Sequence, residues 1–89
     1  MINEPITIQN KLGLHTRAAA KLVATAAKFE SQIQLVRNDH IADCKSIMSV
    51  ILLGATKGMT LQLIITGADE FEAHDAIVNL VNNHFGEGG

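Results

Sequence analysis

The chain predicts an α+β fold, a two-layer open-faced sandwich of order βαββαβα, on three observations. Four short stretches carry strand patterning, with apolar residues at alternate positions, as at Leu61, Leu63 and Ile65. Between them lie segments whose apolar residues recur at helical spacing. Each strand then has one apolar face, which amphipathic helices must cover. With 89 residues, 47% hydrophobic and 18% charged, the chain suits a single domain over 1–89 with one modest core.

Ile6 and Ile8 alternate with Thr7 and Gln9 as the first strand, and Asn10 to Gly13 form a polar turn. Thr16 is suited to cap a helix, and good helix formers follow from Ala18 to Lys28. Ala19, Leu22, Val23, Ala26 and Phe29 form its inner face; Arg17, Lys21, Ala24, Thr25 and Lys28 lie outside. Ile33 and Leu35 alternate with Gln32 and Gln34 in a second strand. Asn38 and Asp39 turn into a short third strand about His40 to Asp43. Ser46 caps a short helix that ends at Gly54. After a turn over Thr56 to Gly58, Leu61, Leu63 and Ile65 mark the fourth strand. Asp69 with Glu72 reads as a capping-box start for the last helix, whose inner face is Ala73, Ala76, Ile77, Leu80 and Val81. Gly86 to Gly89 are expected to fray.

Composition narrows the function. A net charge of −2 with no basic stripe, and three aromatics that are all Phe, argue against a nucleic-acid partner. The single Cys44 allows neither a disulfide within the chain nor a thiolate metal cage, and reads as a semi-buried structural thiol. His40, His74 and His84 lack metal-ligand spacing and are assigned to the solvated surface, so no metal or other cofactor is expected. The start of the chain has no basic-then-apolar leader, and the apolar run from Ile47 to Ala55 is too short to cross a bilayer. A cytoplasmic protein, monomeric and without membrane insertion, is the expectation.

Residues 13–19, Gly-Leu-His-Thr-Arg-Ala-Ala, carry the candidate chemistry. His15 precedes a helix start, where unpaired N–H groups and the positive end of the helix dipole favour an anion. Arg17 adds a permanent cation with a planar donor fork suited to phosphate oxygens. A neutral imidazole is a nucleophile, and the positive helix end disfavours its protonated form. The stretch therefore reads as a histidine that accepts, holds and passes on a phosphoryl group.

Gly13-Leu14-His15-Thr16-Arg17, Ala19-Ala20, Lys45-Ser46-Ile47-Met48 and Leu53-Gly54, at their separations, resemble the HPr phosphocarrier family of the bacterial phosphoenolpyruvate-dependent phosphotransferase system. The resemblance runs from about Ile6 to about Asn83 and implies an antiparallel four-stranded sheet with its helices on one face. It also implies that the δ1 nitrogen of His15 carries the phosphoryl group, given by Enzyme I and taken by IIA domains. Backbone N–H groups of Thr16 and Arg17 are candidates for the first contacts to the phosphoryl oxygens, with the Arg17 side chain balancing charge. Ala18 stands where the family usually has proline, which leaves one more N–H in that turn.

Ser46 is a good helix cap on its own account, and in the resembled family the serine there is phosphorylated by an HPr kinase/phosphorylase as a regulatory mark. The short helix is apolar nearly all round. Val50 and Leu53 suit the core, while Ile47, Met48 and Ile51 form an exposed patch beside His15. With Ala20 and Lys21 these make the docking surface that the resemblance implies for Enzyme I and IIA domains, and Arg17, Lys21 and Lys28 would pair with acidic groups there. The reading is of a carrier, not a catalyst in its own right. Two other classes stay open: a regulatory protein switched at Ser46, in a nitrogen-related or catabolite branch, and a module that binds an anion without reacting.

Overall fold

The computed structural model describes residues 1–88. Its elements are β1 (Ile2–Thr7), α1 (Thr16–Ala26), β2 (Gln32–Arg37), β3 (His40–Asp43), α2 (Ile47–Leu52), β4 (Thr60–Thr66) and α3 (Glu70–Asn82), followed by a single 3-10 turn at His84–Gly86. The strands form one antiparallel sheet in the order β1-β4-β2-β3, and the helices cover one face of it, as expected.

The register aligns the inward residues across the sheet. Ile6 pairs with Leu61, Leu35 with both Leu63 and Ala42, and Ile33 with Ile65, all buried. That stripe meets Ala19, Leu22 and Ala26 of α1, Val50 of α2, and Ala73, Ile77 and Val81 of α3. One-residue slippage would turn every one of these strand side chains outward, so the register is strongly specified.

Four local expectations change. β1 begins at Ile2, four residues before the predicted strand, and runs through Pro5. A proline cannot donate to a ladder, but β1 is an edge strand and loses nothing central by it. The Asp69 carboxylate does not cap its own helix. It accepts instead from the backbone N–H groups of Glu30 (2.8 Å) and Ser31 (2.9 Å) and from Ser31 Oγ (2.5 Å). These bonds, the Ser31 hydroxyl first, hold the Asp69 pKa below its usual value. Cys44 is fully rather than partly buried, and desolvation, aided by Asp43, pushes its thiol up to about 12. His74 is only partly solvated, since its Nε2 bonds the Glu4 carboxylate of β1 and Asp75 lies 3.3 Å from Nδ1.

The fifth departure lies at the start of the segment expected to fray, where the Gly86 and Glu87 N–H groups donate to the Asn83 and His84 carbonyls, each at 2.9 Å. Phe85 is completely buried and His84, Phe85 and Gly86 all have positive φ, so the chain reverses sharply after α3 and lies back over the start of α1. Left-handed backbone is unusual for a bulky residue. Burying a phenyl side chain contributes about 1.5–3 kcal/mol, of the same order as the strain it offsets. Gly89, the last residue of that expected tail, lies outside the described residues.

Candidate functional site

The loop from Ile8 to His15 carries the candidate histidine, and two features fix it. Gly13 has φ +67°, and a Cβ there would stand 2.5 Å from the Ala55 carbonyl oxygen, so only glycine lets the loop press against that backbone. The neighbouring Leu14 N–H donates to the same carbonyl at 3.0 Å. On the other side the fully buried Asn10 donates from Nδ2 to the Gly13 carbonyl at 2.7 Å.

This placement moves the helix cap back by one residue. His15, not Thr16, is the N-cap of α1: its backbone is extended, and its carbonyl accepts the first helical bond from Ala19 at 2.8 Å. Thr16, Arg17 and Ala18 fill the first turn, and among the described residues their N–H groups have no backbone acceptor. Ala18 buries its methyl completely, and Thr16 and Arg17 are exposed. The imidazole does not cap the helix; 27% of its side-chain surface is open to solvent.

The His15 ring has a partner that sequence reasoning missed. Nε2 lies 2.5 Å from Oε2 of Glu87, which reaches it because the chain reverses at Phe85. The other oxygen of that carboxylate accepts from Asn10 Nδ2 at 3.0 Å. The Asn10 hydrogen bond, then the His15 bond and the positive charge of Arg17, hold the Glu87 pKa below the ordinary carboxylate value. Asn10 thus joins the loop to the end of the chain, with both hydrogen bonds donated from one nitrogen; its Oδ1 has no donor among the described residues. Lys21 Nζ donates to the Phe85 carbonyl at 2.6 Å and secures the same segment. Lys11, Leu12, Arg17, Lys21 and residues 86–88 line an open depression of about 460 Å³, so three cationic side chains and Glu87 share its rim.

Of the remaining candidates, Ala20 and Lys21 are exposed on α1. Ser46 is the N-cap of α2, as expected; its Oγ accepts from Ser49 N at 3.4 Å and lies 3.1 Å from Ser49 Oγ. Val50 and Leu53 are buried, and Ile47 and Met48 are exposed, as the pattern required. Ile51 is half-buried against the core rather than part of the open patch, because it lies on the same side of α2 as the packed residues. Leu52 takes its place outside, 78% exposed. Among the described residues no group of three or more His, Cys, Asp or Glu could hold a metal ion, and no helix is long and apolar enough to cross a membrane.

Glu87 had a faint signal. Phe85 is one of only three aromatics and lies beyond the last predicted helix, where an apolar ring needs a core to enter.

Comparison with known proteins gives consistent results. The family described as PTS HPr component phosphorylation site matches residues 2–83. The phosphocarrier protein HPr of Pseudomonas aeruginosa is 51% identical over 84 residues, covering 93% of each chain. That of Neisseria meningitidis serogroup A is 46% identical over 88 residues, covering 99% of each. The crystal structure of HPr-C-His from Thermoanaerobacter tengcongensis superposes with a TM-score of 0.95 at 43% identity, covering both chains fully.

Proposed function

The chain belongs to the HPr family of the phosphotransferase system, and on that premise we propose that it is a phosphoryl carrier in which His15 takes a phosphoryl group from phospho-Enzyme I and gives it to a IIA domain. The observation that carries this reading is a part-exposed imidazole at the N-cap of α1, beside three N–H groups without backbone acceptors. Transfer begins when the His15 Nδ1 lone pair attacks phosphorus and the donor's bond to phosphorus breaks, its electron pair returning to the donor. The N–H groups of the exposed Thr16 and Arg17 receive the phosphoryl oxygens, with the buried Ala18 behind them, and the Arg17 guanidinium balances their charge. An open site suits a carrier, since a phosphate held too tightly would not move on. The chain acts as one domain over 1–89, in the cytoplasm and as a monomer, and is a relay rather than a catalyst.

Partners dock on the exposed surface of Ala20, Lys21, Ile47 and Met48, with Ile51 beneath it as support. Methionine adapts to partners of different shape, and Lys21 and Arg17 meet acidic groups. Ser46 is the regulatory position, modified by an HPr kinase/phosphorylase. A phosphate there would sit at the start of α2, next to exposed Ile47 and Met48, and would repel an acidic partner by about two charges.

The test is phosphorylation with phosphoenolpyruvate and Enzyme I. Stoichiometric label that is acid-labile, base-stable and absent from His15→Ala is expected. Label on Ser46 alone, requiring a nucleoside triphosphate, would instead mark a purely regulatory protein, and no covalent label at all would mark an anion-binding module.

A further inference from the structure

We infer that Glu87 is a positioning residue for the phosphoryl transfer at His15, holding the imidazole with its proton on Nε2 and supporting the positive charge that the ring gains when Nδ1 is phosphorylated. The inference rests on the carrier reading above and adds a residue to it.

A carboxylate can only accept a hydrogen bond from a neutral ring, so the contact between Glu87 Oε2 and His15 Nε2 at 2.5 Å requires the proton on Nε2. Nδ1 then keeps its lone pair, and no hydrogen bond among the described residues engages it. During attack the Nδ1 lone pair forms the bond to phosphorus, the donor–phosphorus bond breaks towards the donor, and Nε2 keeps its proton. Both ring nitrogens are then substituted and the ring becomes cationic. The Glu87 carboxylate faces that charge across the hydrogen bond it already makes. In the return step a nucleophile of the accepting IIA domain forms its bond to phosphorus as the nitrogen–phosphorus bond breaks, the electrons of that bond go back to Nδ1, and the neutral tautomer is recovered without a proton leaving the site. A buried carboxylate serves a catalytic histidine in the same manner in the serine hydrolases.

Two further observations show that the contact is built in. Asn10, itself fully buried, fixes the second carboxylate oxygen at 3.0 Å, so Glu87 is held at both ends. The backbone that delivers Glu87 runs through left-handed conformations at His84 and Phe85, locked by the Phe85 ring in the core and by Lys21 on its carbonyl.

The experiment uses the full chain with 15N-labelled histidine, in wild-type, Glu87→Ala and Glu87→Gln forms. In the wild type the neutral His15 ring is expected to carry its proton on Nε2, with a proton resonance shifted downfield by the carboxylate and lost in Glu87→Ala. The rate of labelling from phospho-Enzyme I should fall roughly 10-fold in both variants, the low end for a group that orients an imidazole from outside the reaction. Glu87→Gln keeps the shape and removes the charge, so a slow Gln variant identifies the charge as the agent. A wild-type ring protonated on Nδ1, or wild-type labelling rates in either variant, would overturn the role of Glu87 while leaving the carrier reading intact. A wild-type chain that takes no label sinks the carrier reading itself.

Discussion

Among the described residues two histidines bind a carboxylate through Nε2, and the surroundings of the two rings differ. His15 meets Glu87 at the head of α1, next to three N–H groups without backbone acceptors and a depression ringed by Lys11, Arg17 and Lys21. His74 meets Glu4 in the N-terminal half of α3, with Asp75 as its other neighbour. The first pair combines a carboxylate with surrounding cations and an open face. The second is wholly acidic around the ring and closes the edge strand β1 against a helix. The pairing is common to both; the polarity of the surroundings separates an anion cradle from a clamp. A histidine bonded to an acid is thus no sign of reactivity until its other neighbours are counted.

The sharpest way to break the contrast is to remove each ring. His15→Ala should abolish labelling by phospho-Enzyme I, whereas His74→Ala should be labelled at the wild-type rate; loss of labelling in the second variant would erase the distinction. Next in size, Gly13→Ala must strain a left-handed backbone and push against the Ala55 carbonyl. It should lose about 2–4 kcal/mol in urea unfolding, and a loss under about 1 kcal/mol would show that the His15 loop yields more readily than its packing implies.

On the α3 side, the contacts should register as pH dependence of stability and not of transfer. Asp69 has its pKa lowered by folding, so its contribution is present above its unfolded value and is lost as pH falls through the folded one. Asp69→Asn should remove that part of the acid-side slope in thermal unfolding. His74 has its pKa raised, the Glu4 bond being the chief cause. Its contribution is therefore complete below about pH 6.5 and fades as pH rises through the folded value. Glu4→Gln should flatten that slope and cost about 0.5–1 kcal/mol at pH 6, the smallest of these effects; a slope unchanged in Glu4→Gln would place the raised pKa elsewhere.

What the sequence made legible was local. Alternation marked all four strands, because an inward stripe such as Leu61, Leu63 and Ile65 must face the core whatever lies opposite. The head of α1 was readable for the same reason: a helix start, a histidine and an arginine are neighbours in the chain. Long-range polar contacts were not. Glu87 and His15 are 72 residues apart, Asp69 and Ser31 are 38 apart, and neither carboxylate carries a periodic mark of its partner. Asp69 misled because an Asx residue before a helix ordinarily serves that helix, whereas the turn at Glu30 and Ser31 offered it three donors.

The sealed position of Cys44 has a practical outcome for measuring the partner contacts. With a single native cysteine that solvent does not reach and whose thiolate is scarce at neutral pH, maleimide reagents should pass it by. A cysteine introduced at Met48 or Leu52 could then carry a fluorophore without first stripping the background thiol from the protein.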